Sequence, residues 1–173
     1  MLRCRDLSRE DKTSYWTLSQ TDLEELSWLQ KKPRGGVLKT DRKQLGRTIT
    51  YEIKHTNTKG KIIPTIRGDD ISFHVKVDSK GWLMEDWTVP EVKGTEEYLS
   101  ELEDEFKKIA EQQVKQFLDK IQHKYKVDVG DFGEQLRIKH PKVWRKFKPD
   151  WDKRFSEVPI TYDVKIKLEI RLS

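Results

Sequence analysis

The feature that most limits the possible folds is a long amphipathic segment without proline or glycine, residues 95–126. Its apolar residues recur every three or four positions, which places them along one side of an α-helix. Thr95 can cap the first turn, and acids precede lysines in an order that suits the helix dipole. Two polar residues, Glu103 and Gln113, interrupt the apolar stripe. We therefore predict one long helix. Its stripe comprises Leu99, Leu102, Phe106, Ile109, Ala110, Val114, Phe117, Leu118, Ile121 and Tyr125.

Alternating apolar and polar residues predict a series of β-strands before this helix. Strands are predicted near residues 37–39, 48–54, 61–66, 71–77 and 82–84, with turns at 57–60, 68–70 and 78–81. Pro64 cannot donate a ladder hydrogen bond, so its strand is expected at a sheet edge or a bulge. These strands form an antiparallel meander with one buried face.

The chain closes on the clearest strand pattern of the sequence, residues 160–172. Every even position is apolar and every odd position is polar, which is typical of a half-buried strand. At roughly 40 Å, such a strand would invite aggregation if its edge were free. We therefore predict that it pairs inside the sheet.

Shorter helices are predicted at both ends of the chain. Ser19 and Asp22 form a capping box for a first helix that ends near Gln30. Two short helices are predicted over residues 131–139 and 141–147. Asp150 can cap a last helical turn, residues 151–155.

Together these elements predict an α+β fold. An antiparallel or mixed sheet of about five strands has the long helix on one face and short helices at its periphery. Residues 1–12 are expected to be a tail or linker, and residues 13–173 a single domain.

Composition is that of a folded chain outside the membrane. Six Trp and six Phe among 173 residues argue against disorder. The single cysteine, Cys4, excludes an internal disulfide. No run approaches the roughly 18 apolar residues of a membrane span, and the first residues lack the apolar core of a signal peptide. We expect the chain alone to be soluble.

A search for catalytic or metal-binding patterns finds none with the required spacing. The four histidines are scattered, and residues 130–133 lack the third glycine and the Lys-Ser/Thr of a phosphate loop. The acidic pairs 69–70 and 85–86 would form a cation site if they met across a hairpin, but acids beside turns usually serve turn geometry. We predict no enzymatic activity, no cofactor and no metal site.

The net charge of +5 is concentrated in one stretch. Residues 137–154 contain eight basic and two acidic residues, a local charge of +6. The candidate contact residues are Lys142, Arg145, Lys146 and Lys148, interleaved with Trp144, Phe147, Trp151 and Phe155. This pattern fits single-stranded nucleic acid, an anionic membrane or an anionic protein surface. It also fits a helix whose aromatic residues face the core, and the aromatic spacing favours that interpretation, with nucleic acid the least favoured partner.

Several segments of the C-terminal half resemble the third, C-terminal domain of the Ger(x)C spore-germination proteins. The resemblance is carried by residues 124–128, 132–134, 139–144, 150–152 and 157–165, and less specifically by 16–23, 61–66 and 71–77. The positions that match the family motif are Asp128, Gly133, Trp144, Asp150 and Trp151. We predict that the two tryptophans pack between the short helices and the sheet.

The resemblance implies a non-catalytic role. Members are the C subunits of nutrient-germinant receptors, lipoproteins at the outer face of the spore inner membrane that work with A and B subunits. The family's lipid anchor is not carried onto Cys4, because Met-Leu-Arg before it is no lipobox. The chain is thus expected to be an excised third domain or an incomplete gene product, reaching the membrane only through the anchor of the full-length protein. One departure lies at Gly130 and Asp131, where the family usually has an apolar residue and then a glycine.

Overall fold

The computed structural model of the chain describes residues 3–5, 15–17, 19–29, 36–42, 47–85 and 95–170. Its strands are β1 (Arg3–Arg5), β2 (Tyr15–Thr17), β3 (Gly36–Arg42), β4 (Arg47–Arg67), β5 (Asp70–Glu85) and β6 (Ile160–Ile170). Its α-helices are α1 (Gln20–Ser27), α2 (Glu96–Asp119), α3 (Phe132–Lys139), α4 (Pro141–Phe147) and α5 (Trp151–Phe155). A π-helical turn (Lys120–Tyr125) continues α2, and a 3-10 turn (Lys148–Asp150) joins α4 to α5.

The described strands form a mixed four-stranded sheet and a separate two-stranded ribbon. The order in the sheet is β3-β4-β5-β6, antiparallel except for the parallel pair β5–β6. The ribbon pairs β1 with β2, so Arg3–Arg5 is a strand within the segment expected to be a tail or linker. The α+β class and the mixed sheet are confirmed.

The long helix is also confirmed. Thr95 caps it as predicted, because its hydroxyl accepts a hydrogen bond from the Tyr98 amide at 3.3 Å. Lys126, with a φ of 53°, ends the π-helical turn in the left-handed conformation. The fully or nearly buried residues of the predicted stripe are Leu102, Phe106, Ala110, Val114, Phe117, Leu118 and Ile121.

Two predicted turns are wrong, because β4 and β5 are long strands and not a series of short ones. Residues 57–60 and 78–81 continue through the sheet, and the chain reverses only at Gly68, whose φ is 63°. Thr58 and Ser79, which resemble turn residues in the sequence, are buried with their hydroxyl oxygens 2.8 Å apart. Since each hydroxyl satisfies the other, polar residues are tolerated inside the hairpin.

The placement of Pro64 agrees with the sequence. The pairing of β3 with β4 ends at Ile53, beyond which β4 shifts its register. Pro64 therefore lies in the part of β4 that, within the described residues, pairs with β5 alone. A residue without an amide proton is compatible with that position.

The prediction that the last strand pairs inside the sheet is wrong. Among the described strands, β6 is an edge, with β5 as its neighbour. The edge is protected by α2: the Glu103 carboxylate accepts a hydrogen bond from the Leu168 amide at 2.9 Å. Lys167 also lies 3.2 Å from that carboxylate. A charged side chain on the free backbone is a known means of blocking further strand addition.

The end of α1 packs directly on β4 at Gly60. A β-carbon built on Gly60 would lie 2.5 Å from the Trp28 carbonyl oxygen and 2.7 Å from the Leu29 carbonyl group. No side chain fits there unless the helix moves. Gly60 is therefore needed for close packing of α1 against the sheet, and not for the turn that the sequence suggests.

We expect Gly60→Ala to lower the free energy of unfolding by about 1–3 kcal/mol, because the added methyl overlaps backbone atoms of Trp28 and Leu29, directly after α1. Urea denaturation of the purified chain measures this. Lys59→Ala, at the exposed neighbouring position, should change stability by less than about 0.5 kcal/mol. Equal stability of the two variants would show that α1 does not contact β4 as described.

Candidate functional site: an aromatic brace and a basic face

Four of the five residues that resemble the family motif meet around one carboxylate, that of Asp128. One oxygen accepts a hydrogen bond from the Phe132 amide at 3.0 Å. The other accepts from the Gly133 amide at 2.6 Å and from the Trp151 indole Nε1 at 2.9 Å. Burial raises the pKa of the Asp128 carboxyl, although the three N–H donors favour its ionised form. Asp128 thus ties the first turn of α3 to α5.

Gly133 gives the two tryptophans room beside α3. A β-carbon at Gly133 would lie 2.7 Å from Trp151 Nε1 and 2.9 Å from two ring carbons of Trp144. Both indoles therefore lie directly on the helix backbone. A side chain at this position would displace the ring that donates to Asp128.

The tryptophans belong to an aromatic cluster that joins the short helices to the sheet. The Trp151 ring lies 5.4 Å from Trp144 and 6.1 Å from Phe73 of β5, both in edge-on geometry. Phe132 contacts Phe73 at 5.2 Å and Phe155 at 5.3 Å. Trp151 is 6% exposed, whereas Trp144 is only partly buried. We call Asp128, Gly133 and these aromatic residues the aromatic brace.

The fifth motif residue lies outside the brace. Asp150 is exposed and accepts a hydrogen bond from Arg154 Nε at 3.1 Å. The prediction that it caps the last helical turn is wrong in its detail: α5 does begin at the next residue, but the Asp150 side chain makes no capping hydrogen bond. The four-residue spacing to Arg154 favours the ion pair instead.

Asp131 stands where the resemblance implies a glycine, and the structure shows how an aspartate fits there. Asp131 has a φ of 65°, in the left-handed region where glycine is unstrained. Aspartate is among the few other residues that tolerate this conformation. The turn that brings Asp128 over the start of α3 is therefore retained without the glycine.

The candidate contact residues Lys142, Arg145, Lys146 and Lys148 are exposed on α4 and on the 3-10 turn that follows it. We call this set the basic face. The interleaved aromatic residues point the other way, with Phe147, Trp151 and Phe155 buried. The prediction that these aromatic residues are core residues is confirmed.

Lys146 differs from the rest of the basic face, because it already has a partner. Its ammonium group lies 2.6 Å from Asp69 in the β4–β5 turn. The hydrogen bond from Lys146 lowers the pKa of the Asp69 carboxyl. This contact links α4 to the tip of the hairpin.

A second polar cluster, around Asp22, was not foreseen from the sequence beyond its capping role. Asp22 caps α1 through Ser19, as predicted, and also accepts from Lys120 Nζ at 3.0 Å and from the Tyr125 hydroxyl at 3.1 Å. Glu25, also buried, accepts from Lys120 at 2.7 Å. Although burial opposes ionisation, these hydrogen bonds lower the pKa of Asp22 to about 2. The cluster fastens α1 to the π-helical turn, and its long sequence separations gave no local signal.

The described residues contain neither a metal-binding cluster nor a helix suited to span a membrane. They contain no group of three or more His, Cys, Asp or Glu side chains placed to hold a metal ion. Asp69 and Asp70 lie at one end of β5 and Glu85 at the other, so the suggested meeting of the acidic pairs is wrong; Asp86 lies outside the described residues. None of the helices within the described ranges is long and apolar enough to cross a membrane.

Comparison with known proteins identifies the family. The sequence matches the family described as "Spore germination B3/ GerAC like, C-terminal" over residues 7–170. The chain belongs to this family. Its members are C subunits of germinant receptors and take part in spore germination; this is not a known enzyme family.

Relatives in Bacillus subtilis (strain 168) share this sequence across most of the chain. Spore germination protein YndF is 35% identical over 162 residues, or 94% of the chain, and spore germination protein B3 is 41% identical over 151 residues, or 87%. The chain spans 39% of the length of each relative. The crystal structure of the GerBC protein matches with a TM-score of 0.75 and 40% identity, covering 87% of this chain and 46% of that one.

We expect Trp151→Ala to lower the free energy of unfolding by about 3–5 kcal/mol, because it empties the centre of the aromatic brace. Trp151→Phe retains an aromatic ring but removes the indole donor to Asp128, so a loss of about 1–3 kcal/mol is expected. Trp144→Ala should cost less than Trp151→Ala, since Trp144 is partly exposed. Urea denaturation orders the three variants, and a loss under about 1 kcal/mol for Trp151→Ala would contradict the brace.

Acid sensitivity tests the Asp22 cluster. The Asp22 pKa falls from 3.8 to about 2 on folding, so its stabilising effect is complete above about pH 4 and is lost as pH falls through 2. From that shift, Asp22→Asn should lower the free energy of unfolding by about 2 kcal/mol at neutral pH. The variant should also lack the part of the acid-induced loss of stability that comes from protonation of Asp22. Stability curves from pH 7 to 2 measure both effects. Asp104→Asn, at an exposed position of α2, should follow the parent chain throughout.

Proposed function

We propose that this chain is a non-catalytic interaction domain of a germinant-receptor C subunit, acting with the A and B subunits in nutrient-triggered spore germination. Membership of the germination family supports this role. The full-length protein would be a lipoprotein at the outer face of the spore inner membrane.

The observation that carries the proposal is the inward direction of three motif side chains, those of Asp128, Trp144 and Trp151. The Asp128 carboxylate is occupied by three internal donors, and the two indoles are packed against α3. A catalytic carboxylate needs access to a substrate, whereas the Asp128 carboxylate is already hydrogen-bonded to groups inside the protein. These residues therefore hold the short helices in place and leave the outer side of those helices free to contact another molecule, as an interaction domain requires.

The alternative of single-stranded nucleic acid binding loses its main support. Such binding relies on aromatic side chains that stack on exposed bases. Phe147, Trp151 and Phe155 are buried in the core. The positive charge of this region remains, but without a stacking surface.

A gene deletion in the spore-forming bacterium that carries this sequence tests the proposed function. Spores that lack the gene should lose the response to one class of nutrients, measured as the fall in optical density during germination. They should respond normally to a trigger that does not act through nutrient receptors. Restoring the full-length gene should restore the nutrient response.

Co-purification provides the control for a direct role in the receptor. A tagged full-length protein, extracted in mild detergent from wild-type spores, should retain the A and B subunits. Removal of residues 95–173 from that protein should release them. An unchanged response to every nutrient in a broad panel, together with no A or B subunit on the tagged protein, would contradict the proposal.

A further inference from the structure

Three cations of the basic face have the geometry of a contact surface. Lys142, Arg145 and Lys148 follow one another at intervals of three residues, which keeps them on the outer side of α4 and its extension. All three are exposed, and the described part of the chain offers them no ion-pair partner. Lys146 is excluded from this set because it is paired with Asp69.

The exposed side of α4 offers charge and little else. Val143 and Trp144 pack against the core, and Phe147 is buried beneath the helix. A specific protein interface usually has an apolar or aromatic centre inside a polar rim. This surface has the cations without that centre, so it fits an anionic partner that needs no shape complementarity.

The open face of the sheet is a useful comparison, because it also carries lysines. There, Lys76 lies opposite Asp163 and Lys165 opposite Asp78, although Lys61 also lies opposite Lys76, and Lys80 opposite Lys167. The positive charge of the sheet face is therefore partly neutralised by acids at neighbouring positions. Beside Lys142, Arg145 and Lys148, Asp150 is already bonded to Arg154 and Asp69 to Lys146.

We propose that Lys142, Arg145 and Lys148 bind the phosphate head groups of anionic lipids and hold this domain against a membrane surface. The inference rests on the proposed function, in which the full-length protein is anchored at a membrane. Each Lys or Arg close to an anionic bilayer strengthens association about fivefold, so three supply on the order of a hundredfold. That is too little to recruit a free protein firmly, but enough to orient a domain that is already tethered.

Vesicle sedimentation with the purified chain tests the proposal. The chain should bind vesicles of phosphatidylcholine with 30% phosphatidylglycerol at low salt, and should not bind phosphatidylcholine alone. Lys142→Gln/Arg145→Gln/Lys148→Gln should lower the partition coefficient on the order of a hundredfold. The matched control is Lys61→Gln/Lys76→Gln/Lys165→Gln, which removes the same charge from the sheet face and should lower it only a few fold. Thermal unfolding of both variants confirms that each is folded.

Three results would overturn the proposal. The first is an equal loss of binding in the two triple variants, which would mean that only net charge matters. The second is no binding of the parent chain to the anionic vesicles. The third is equally tight binding to a duplex DNA fragment with the same salt dependence, which would indicate a general affinity for polyanions. None of these results depends on germination, so failure here is distinguishable from failure of the proposed function.

Discussion

The C-terminal half of the fold depends on the carboxylate of Asp128. The first amides of a helix have no partner within the helix, and a buried donor left unsatisfied costs about 1–3 kcal/mol. Asp128 satisfies two such amides of α3 and the indole of Trp151, so one side chain fixes the start of α3 and the position of α5. Trp151 then reaches Phe73 of β5, which joins the short helices to the sheet.

The polar residues that interrupt the stripe of the long helix each satisfy a group on a neighbouring element. Gln113 accepts from the indole of Trp28, beyond α1, and Glu103 accepts from the Leu168 amide on the edge of β6. In the π-helical turn, Gln122 donates to the carbonyl oxygens of Phe155, the last residue of α5, and of Val158, which lies between α5 and β6. Thus α2 and its extension align the other elements by hydrogen bonds as well as by apolar packing.

Features that depend on residues close together in the sequence were predicted correctly. Features that depend on contacts between distant segments were not. The period of the long helix and the capping box at Ser19 involve residues within a few positions of one another, and both were correct. By contrast, Thr58 and Ser79 indicate turns locally but pair with each other across 21 positions. The protection of the β6 edge involves Glu103, 65 residues before Leu168, and no alternation pattern contains that information. The motif residues were found through family resemblance, whereas their meeting around Asp128 required the structure.

The direction of the side chains also explains what the residues that resemble the family motif do in the described part of the chain, which is to pack elements together. The brace orients α4 against the sheet, and the Lys146–Asp69 pair fastens the same helix to the hairpin tip. Because the inner side of α4 is packed and Lys146 is paired, the unpaired cations on the outer side are Lys142, Arg145 and Lys148 within the described part of the chain. A rigid platform of this kind places Lys142, Arg145 and Lys148 in a fixed geometry relative to β4 and β5. For the proposed contact role, such a fixed orientation matters more than a pocket, because contact with one surface then determines which face is left for another.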